Sequence, residues 1–92
     1  MSLELCILGS GSSGNSTLVR APWGVFLIDA GFGPRATAER MSGTGVSVEN
    51  IQAILLTHLD RDHFNLNWYR TILTQGIRIF CGAARVREIL EC

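Results

Sequence analysis

The chain has 92 residues, of which 47% are hydrophobic and ten are glycine. Without the single tyrosine, the hydrophobic residues and glycine together make up about 57% of the chain, which is more than the roughly 45–50% that this set makes up in globular domains. The length allows one domain at most. We therefore expect an apolar surface that packs on something else, including self-association. The eight acidic and eight basic residues, all of the latter arginine, give zero net charge and no basic footprint for nucleic acid. No apolar run reaches the roughly 18 residues of a membrane helix, and without a signal-peptide pattern a cytoplasmic location is expected.

Three short runs in the first third of the chain predict antiparallel strands. Apolar and β-branched residues dominate residues 3–8, 16–21 and 25–30, and a turn at 22–24 joins the last two runs. Between the first two runs lie Gly9, Gly11 and Gly14 in a G-x-G-x-x-G spacing typical of dinucleotide-binding loops. That interpretation needs a helix after Gly14, but only ten positions precede Val25 and a crossover needs about a dozen. A hairpin is predicted instead.

The rest of the chain alternates between predicted helices and strands. Pro34 occupies a first helical position, and Asn65 or Asn67 precedes a second helix. Within that second helix, Trp68, Tyr69, Ile72 and Leu73 recur at helical spacing and are predicted core residues. The predicted elements are helices at 35–41 and 83–90, a helix that follows Asn65 or Asn67 and ends at Thr74, a single turn at 48–50, and strands at 51–57 and 77–80. The strand at 51–57 is almost continuously apolar, which is typical of burial on both faces, and the alternation favours an α/β class.

Four side chains that bind metals follow this apolar strand within six residues. They are His58, Asp60, Asp62 and His63. In an irregular loop they can turn inward together, and imidazole nitrogen with carboxylate oxygen suits zinc, iron or manganese at one or two adjacent sites. The alternative is a solvated loop in which Arg61 pairs with Asp60 or Asp62.

The segment Thr57-His58-Leu59-Asp60-Arg61-Asp62-His63 resembles the His-x-His-x-Asp-His signature of the metallo-β-lactamase-fold hydrolases. The run from Gly9 to Ser16 and the segment Asp29-Ala30-Gly31 look like the N-terminal hairpin and the Asp-x-Gly strand end of that superfamily. The glycine-rich run looks most like a bacterial branch related to DNA exonucleases and other phosphodiesterases. This resemblance implies an α+β fold that is the N-terminal half of an αββα sandwich, occupying residues 1–92, with mainly antiparallel strands and flanking helices.

The resemblance also implies roles for the four potential ligands. His58 would bind a first metal ion, Asp62 and His63 would bind a second, and Asp62 would position the nucleophile. Asp60 stands where the family has its middle histidine. Because a carboxylate is a harder ligand, this departure shifts the expected zinc of the first site toward manganese or iron. Asp29 would support the ligand loop by accepting hydrogen bonds, unless it is only a polar turn residue.

Two functions from different classes follow from these observations. The first is a metal-dependent hydrolase in which a metal-activated water attacks an ester or phosphodiester bond of its substrate. The resemblance implies further metal ligands, histidines among them, later in the chain. No histidine follows His63, so the 92-residue chain alone would be inactive. The second is a truncated or degenerate domain without catalysis, which self-associates or packs on a partner.

Overall fold

A five-stranded sheet carries two helices in the computed structural model, which describes residues 3–60 and 62–81. Strands β1 to β5 span Glu4–Gly9, Ser16–Ala21, Gly24–Ile28, Ile51–Leu56 and Arg78–Cys81, and they lie in that order across the sheet. Helices α1 and α2 span Pro34–Arg40 and Trp68–Gln75, and a 3₁₀ turn spans Val48–Asn50. The helix predicted at 83–90 lies outside the described residues. In the described part of the chain, neither helix has the length and apolar character needed to cross a membrane.

The pairing of the strands changes character halfway across the sheet. β1, β2 and β3 pair antiparallel, as predicted, because short turns connect them. β3 pairs parallel with β4, and β4 pairs parallel with β5, because a connection that contains a helix joins each of these pairs. The predicted α+β class is therefore confirmed, and no dinucleotide-binding helix follows Gly14, since β2 begins at Ser16.

The hydrophobic core lies between the helices and one face of the sheet. The strand register aligns Leu18, Leu27 and Ile54 in one row across that face, and all three are buried. Met41, just after α1, and Trp68 of α2 pack onto the same cluster and are at most 1% exposed. The Trp68 indole N–H donates to the Phe32 carbonyl at 2.6 Å, so its only polar atom is satisfied inside the core.

The opposite face of the sheet is exposed, which corrects the prediction that β4 is buried on both faces. Leu55 of β4 is 38% exposed and Ile7 of β1 is 72% exposed. We call this side of the sheet the open sheet face. The strand register places one row of residues across it: Ile7, Thr17, Ile28, Leu55 and Phe80. The described helices cover only the other face. Apolar continuity in β4 thus indicated a second packing partner that residues 3–60 and 62–81 do not supply.

Helix α2 buries a narrower stripe than its sequence predicted. Trp68 is fully buried and Ile72 packs against the core, as expected. Leu73 is 82% exposed and Tyr69 is 41% exposed, so the prediction that both are core residues is wrong. Trp68 and Ile72 are about one helical turn apart, so both lie on the buried side of α2. Tyr69 and Leu73 each come one position later, so their side chains point about 100° away from that side.

The ring of Phe32 explains part of the glycine spacing that follows β1. A Cβ at Gly14, whose φ is +153°, would lie 2.6 Å from the Phe32 ring, and a Cβ at Gly9 would also overlap it. The Arg40 guanidinium stacks 3.9 Å from the centroid of the same ring and donates to the Leu8 carbonyl at 2.8 Å. The glycines therefore make room for a packed aromatic ring beneath the turn.

Candidate metal centre

Three loops meet at one edge of the sheet. The glycine-rich loop, residues 10–15, joins β1 to β2. Residues 29–31 follow β3, and the ligand loop, described at residues 57–60 and 62–64, follows β4. β3 and β4 are parallel neighbours, and β2 begins beside the end of β3, so all three loops emerge together. Every site residue predicted from the sequence lies in the last two of these loops.

Backbone hydrogen bonds fasten the ligand loop to the other two loops. The Ala30 N–H donates to the His63 carbonyl at 2.7 Å, and the Asn15 N–H donates to the Asp62 carbonyl at 2.6 Å. The Gly31 N–H in turn donates to the Asn15 carbonyl at 2.9 Å. The main chain of Asp62 and His63 is therefore held from two sides.

Asp29 supports the ligand loop from behind, and its side chain is only 9% exposed. Its Oδ1 accepts from the Thr57 N–H at 2.8 Å, and its Oδ2 accepts from the Thr57 hydroxyl at 2.7 Å. The same Oδ2 lies 2.9 Å from Nδ1 of His63. Asp29 also has a φ of +64°, a conformation that Asp adopts more readily than most residues. These contacts are more than a polar turn residue requires.

The contact with Asp29 determines which nitrogen of His63 is free. A carboxylate only accepts hydrogen bonds, so Nδ1 of His63 must carry the proton in this contact. In the neutral ring Nε2 then keeps its lone pair, and this is the form of imidazole that binds a metal ion.

Thr57 relays the orienting effect of Asp29 to His58 through its hydroxyl group. Its hydroxyl donates to Asp29, so the hydroxyl oxygen is left to accept from Nδ1 of His58, which lies 3.0 Å away. His58 is thereby also directed to present Nε2. The two imidazole rings pack with centroids 4.6 Å apart at an angle of 43°.

Asp62 and His63 offer two metal-ligating atoms at a separation that suits binding to one metal ion. Oδ2 of Asp62 lies 3.6 Å from Nε2 of His63. Two ligands with bonds of about 2.0–2.2 Å in tetrahedral geometry lie roughly 3.4 Å apart. The donor types, an imidazole nitrogen and a carboxylate oxygen, also fit zinc, iron and manganese.

Asp60 stands apart from this group. It is exposed, and its described contacts are made by its carbonyl oxygen, which accepts from the N–H groups of His63 and Phe64 at 2.9 and 2.8 Å. These two bonds close the turn that carries Asp62 and His63. The alternative pairing with Arg61 lies outside the described residues. Across residues 3–60 and 62–81, no three side chains of His, Cys, Asp or Glu come together in an arrangement that holds a metal ion.

Sequence reasoning missed two residues that contact the site, Thr57 and Asn15. Thr57 directly precedes the ligand cluster, so its position alone was a usable signal. Asn15 is 47 positions from Asp62 in sequence, yet its side chain donates to the Asp62 carbonyl at 3.0 Å. Nothing in its local sequence points to that contact.

Replacing Thr57 with valine tests the relay. The Thr57→Val chain loses the hydroxyl that bridges Asp29 and His58, so we expect its affinity for Zn²⁺ to fall about 10-fold. The free energy of unfolding should fall by about 1 kcal/mol. Thr57→Ser keeps the hydroxyl and is the matched control. Competition with a chromophoric chelator measures the affinity, and wild-type affinity in Thr57→Val would exclude the relay.

The fold and the clustered donors agree with the comparison to known families. The chain belongs to the metallo-beta-lactamase superfamily, whose sequence profile matches residues 9–69. This confirms the resemblance drawn from the ligand cluster, the glycine-rich run and Asp29-Ala30-Gly31.

The relatives of this chain include ribonuclease Z proteins. Ribonuclease Z of Mycobacterium marinum is 43% identical over 68 residues, and the match covers 66% of this chain but 23% of that protein. The chain thus spans about a quarter of the length of this relative.

Two solved structures share the fold, each with a TM-score of 0.63. The chemotaxis sensor ODP, in a peroxy diiron state, is 23% identical, and the match covers 92% of this chain and 36% of that one. The short form of human tRNase Z is 18% identical, with coverages of 95% and 37%. At these identities the likeness shows the fold alone.

Proposed function

We propose that this chain is the N-terminal half of the metallo-β-lactamase-fold domain of a metal-dependent hydrolase that cleaves phosphodiester bonds. The observation that carries the proposal is the arrangement of Asp62 and His63. Oδ2 of Asp62 lies 3.6 Å from Nε2 of His63, while Asp29 contacts Nδ1 of the same imidazole. The relationship to ribonuclease Z, a protein named for action on RNA, favours a phosphodiester over other esters. A cytoplasmic location stays a prediction.

The proposed ligands divide between two ions. His58 and Asp60 serve the first site, and Asp62 and His63 serve the second, with zinc as the expected metal and manganese or iron as alternatives at the site of Asp60. When bound there, divalent ions would supply a water of lowered pKa and stabilise negative charge on the substrate. Asp62 orients the nucleophile, and Asp29 orients His63 directly and His58 through Thr57. The remaining ligands come from outside residues 3–60 and 62–81.

An RNA or DNA substrate needs positive charge that this chain does not supply. Its acidic and basic residues balance at eight each. Within the proposal, the phosphate-binding groove is formed by the rest of the protein, and this half contributes the metal ligands.

The open sheet face supports the proposal that a further half packs here. Ile7, Leu55 and Phe80 lie in one register row and are all exposed, and the chain corresponds to only 23% of its ribonuclease Z relative. An αββα sandwich would bury this face against a second sheet.

We therefore predict that the isolated 92-residue chain self-associates through the open sheet face. Contiguous exposed apolar surface drives association in water. Sedimentation velocity should show a dimer or larger species for the wild type, and Leu55→Arg should shift it toward monomer. Leu73→Arg is the matched control, since Leu73 is exposed on α2, away from the sheet. A wild-type chain that remains monomeric at high concentration would contradict the prediction.

Hydrolysis by the complete protein tests the proposed function. The substrate is bis(4-nitrophenyl) phosphate, compared with 4-nitrophenyl acetate, and the variant is His63→Ala. We expect phosphodiester hydrolysis to fall at least about 100-fold, because loss of a ligand should cost no less than loss of its supporting residue. Asn67→Ala, which removes an exposed amide after the ligand loop, should leave the rate unchanged.

The outcomes separate the candidate functions. Loss of acetate hydrolysis alone would move the substrate class to carboxylic esters. No hydrolysis by the wild type would favour the domain without catalysis. Full activity in His63→Ala would show that hydrolysis does not depend on the ligand loop and would contradict the proposed function. The exposed apolar face is the observation that supports this second candidate.

A further inference from the structure

Asn15 carries an amide whose orientation is fixed by the loop to which it belongs. Its Oδ1 accepts from the Gly11 N–H at 3.0 Å, and its Nδ2 donates to the Gly11 carbonyl at 2.8 Å. If the amide were rotated by half a turn, donor would face donor and acceptor would face acceptor. The glycine-rich loop therefore decides which way Nδ2 points.

The second Nδ2 proton is directed at Asp62. Nδ2 lies 3.0 Å from the Asp62 carbonyl oxygen and 3.3 Å from its carboxylate Oδ2. The Asn15 backbone N–H donates to the same carbonyl at 2.6 Å. Asn15 thus holds both the main chain and the side chain of Asp62, and the contacts are half-buried.

We infer that Asn15 is a positioning residue for Asp62. Its amide fixes the Asp62 carboxylate beside Nε2 of His63, so that both donors face the same ion. The inference rests on the proposed function, because Asp62 is there a metal ligand. It assigns the glycine-rich loop a second task besides packing on Phe32, namely to aim one amide at the ligand loop.

A cycle of Zn²⁺ affinities on the 92-residue chain tests the inference. Asn15→Ala should weaken binding about 10-fold, as expected when a group that supports a ligand is removed. In an Asp62→Ala background there is no carboxylate to position, so Asn15→Ala should change the affinity by less than about twofold. Asn67→Ala is the matched control for loss of an asparagine amide. An equal loss in both backgrounds, or no loss in either, would overturn the inference.

Nuclear Overhauser effects in the metal-free wild-type chain provide a measurement that needs no variant. The Asn15 δ-amide protons should show contacts with Asp62, and the χ1 coupling constants of Asp62 should indicate one rotamer. Absent contacts and an averaged χ1 would overturn the inference even if zinc binds. If the chain binds no zinc but these signals are present, the proposed function fails and the placement of Asp62 by Asn15 stands.

Discussion

The Asp29→Ala chain should lose about 3 kcal/mol of unfolding free energy, because three donors lose their shared acceptor. These are the Thr57 N–H, the Thr57 hydroxyl and Nδ1 of His63. Urea denaturation of the metal-free chain measures the loss. Asp60→Ala is the matched control in the same part of the chain, since the described contacts of Asp60 use its carbonyl, and it should cost less than about 0.5 kcal/mol.

Asp29→Asn distinguishes the role of Asp29 in orienting His63 from its role in stabilising the fold. An amide is nearly the same size as the carboxylate, and its oxygen in the place of Oδ1 still accepts from the Thr57 N–H. Its NH₂ group, in the place of Oδ2, then faces both the Thr57 hydroxyl and Nδ1 of His63, and it favours the His63 tautomer with the proton on Nε2. We expect Zn²⁺ affinity to fall about 10- to 100-fold, with a smaller loss of stability than in Asp29→Ala. Unchanged affinity in Asp29→Asn would mean that Asp29 has a structural role only.

Gly31→Ala should be the most disruptive single-methyl substitution near the site. The new Cβ would overlap the Asp62 carbonyl oxygen and lie 2.5 Å from the Asn15 nitrogen. Both contacts are with backbone, so no side-chain rotation relieves them, and the hydrogen bond between Asn15 and Asp62 must break. We expect a loss of about 4 kcal/mol, or no folded chain at all.

Gly33→Ala provides the comparison for that substitution. Gly33 lies two residues after Gly31, and a Cβ at Gly33 would meet the Asn67 side chain at an ordinary contact distance of 3.5 Å. Circular dichroism during urea denaturation should show a change of about 1 kcal/mol or less for Gly33→Ala. Similar stability in both alanine variants would mean that the two loops are not packed as closely as the structure places them.

Local pattern was sufficient to predict the elements that position the site. The turn residues at 22–24 and the short spacing after Gly14 predicted the β2–β3 hairpin, and Pro34 marked the start of α1. The apolar run of β4 followed by four polar ligands predicted a functional loop at a strand end. These signals are local, since each depends on residues within a few positions of one another.

Contacts between distant segments were beyond the reach of the sequence. Asn15 and Asp62 meet because β2 and β4 flank β3, and that neighbourhood depends on the order of strands in the sheet. The exposure of Leu55 was mispredicted for a related reason. An apolar strand shows that a face is suited to burial, but not which segment covers it. Leu73 shows the same limit on a helix, where spacing alone marked a residue that faces solvent.

Metal content measured by inductively coupled plasma mass spectrometry shows whether the ligand loop binds metal. The sample is the untagged chain purified without chelator, compared with a His58→Ala, His63→Ala double variant. We predict about one or more equivalents of zinc, manganese or iron in the wild type and none in the variant. A wild-type chain without metal, or a variant that retains it, would show that the ligand loop is not a metal site.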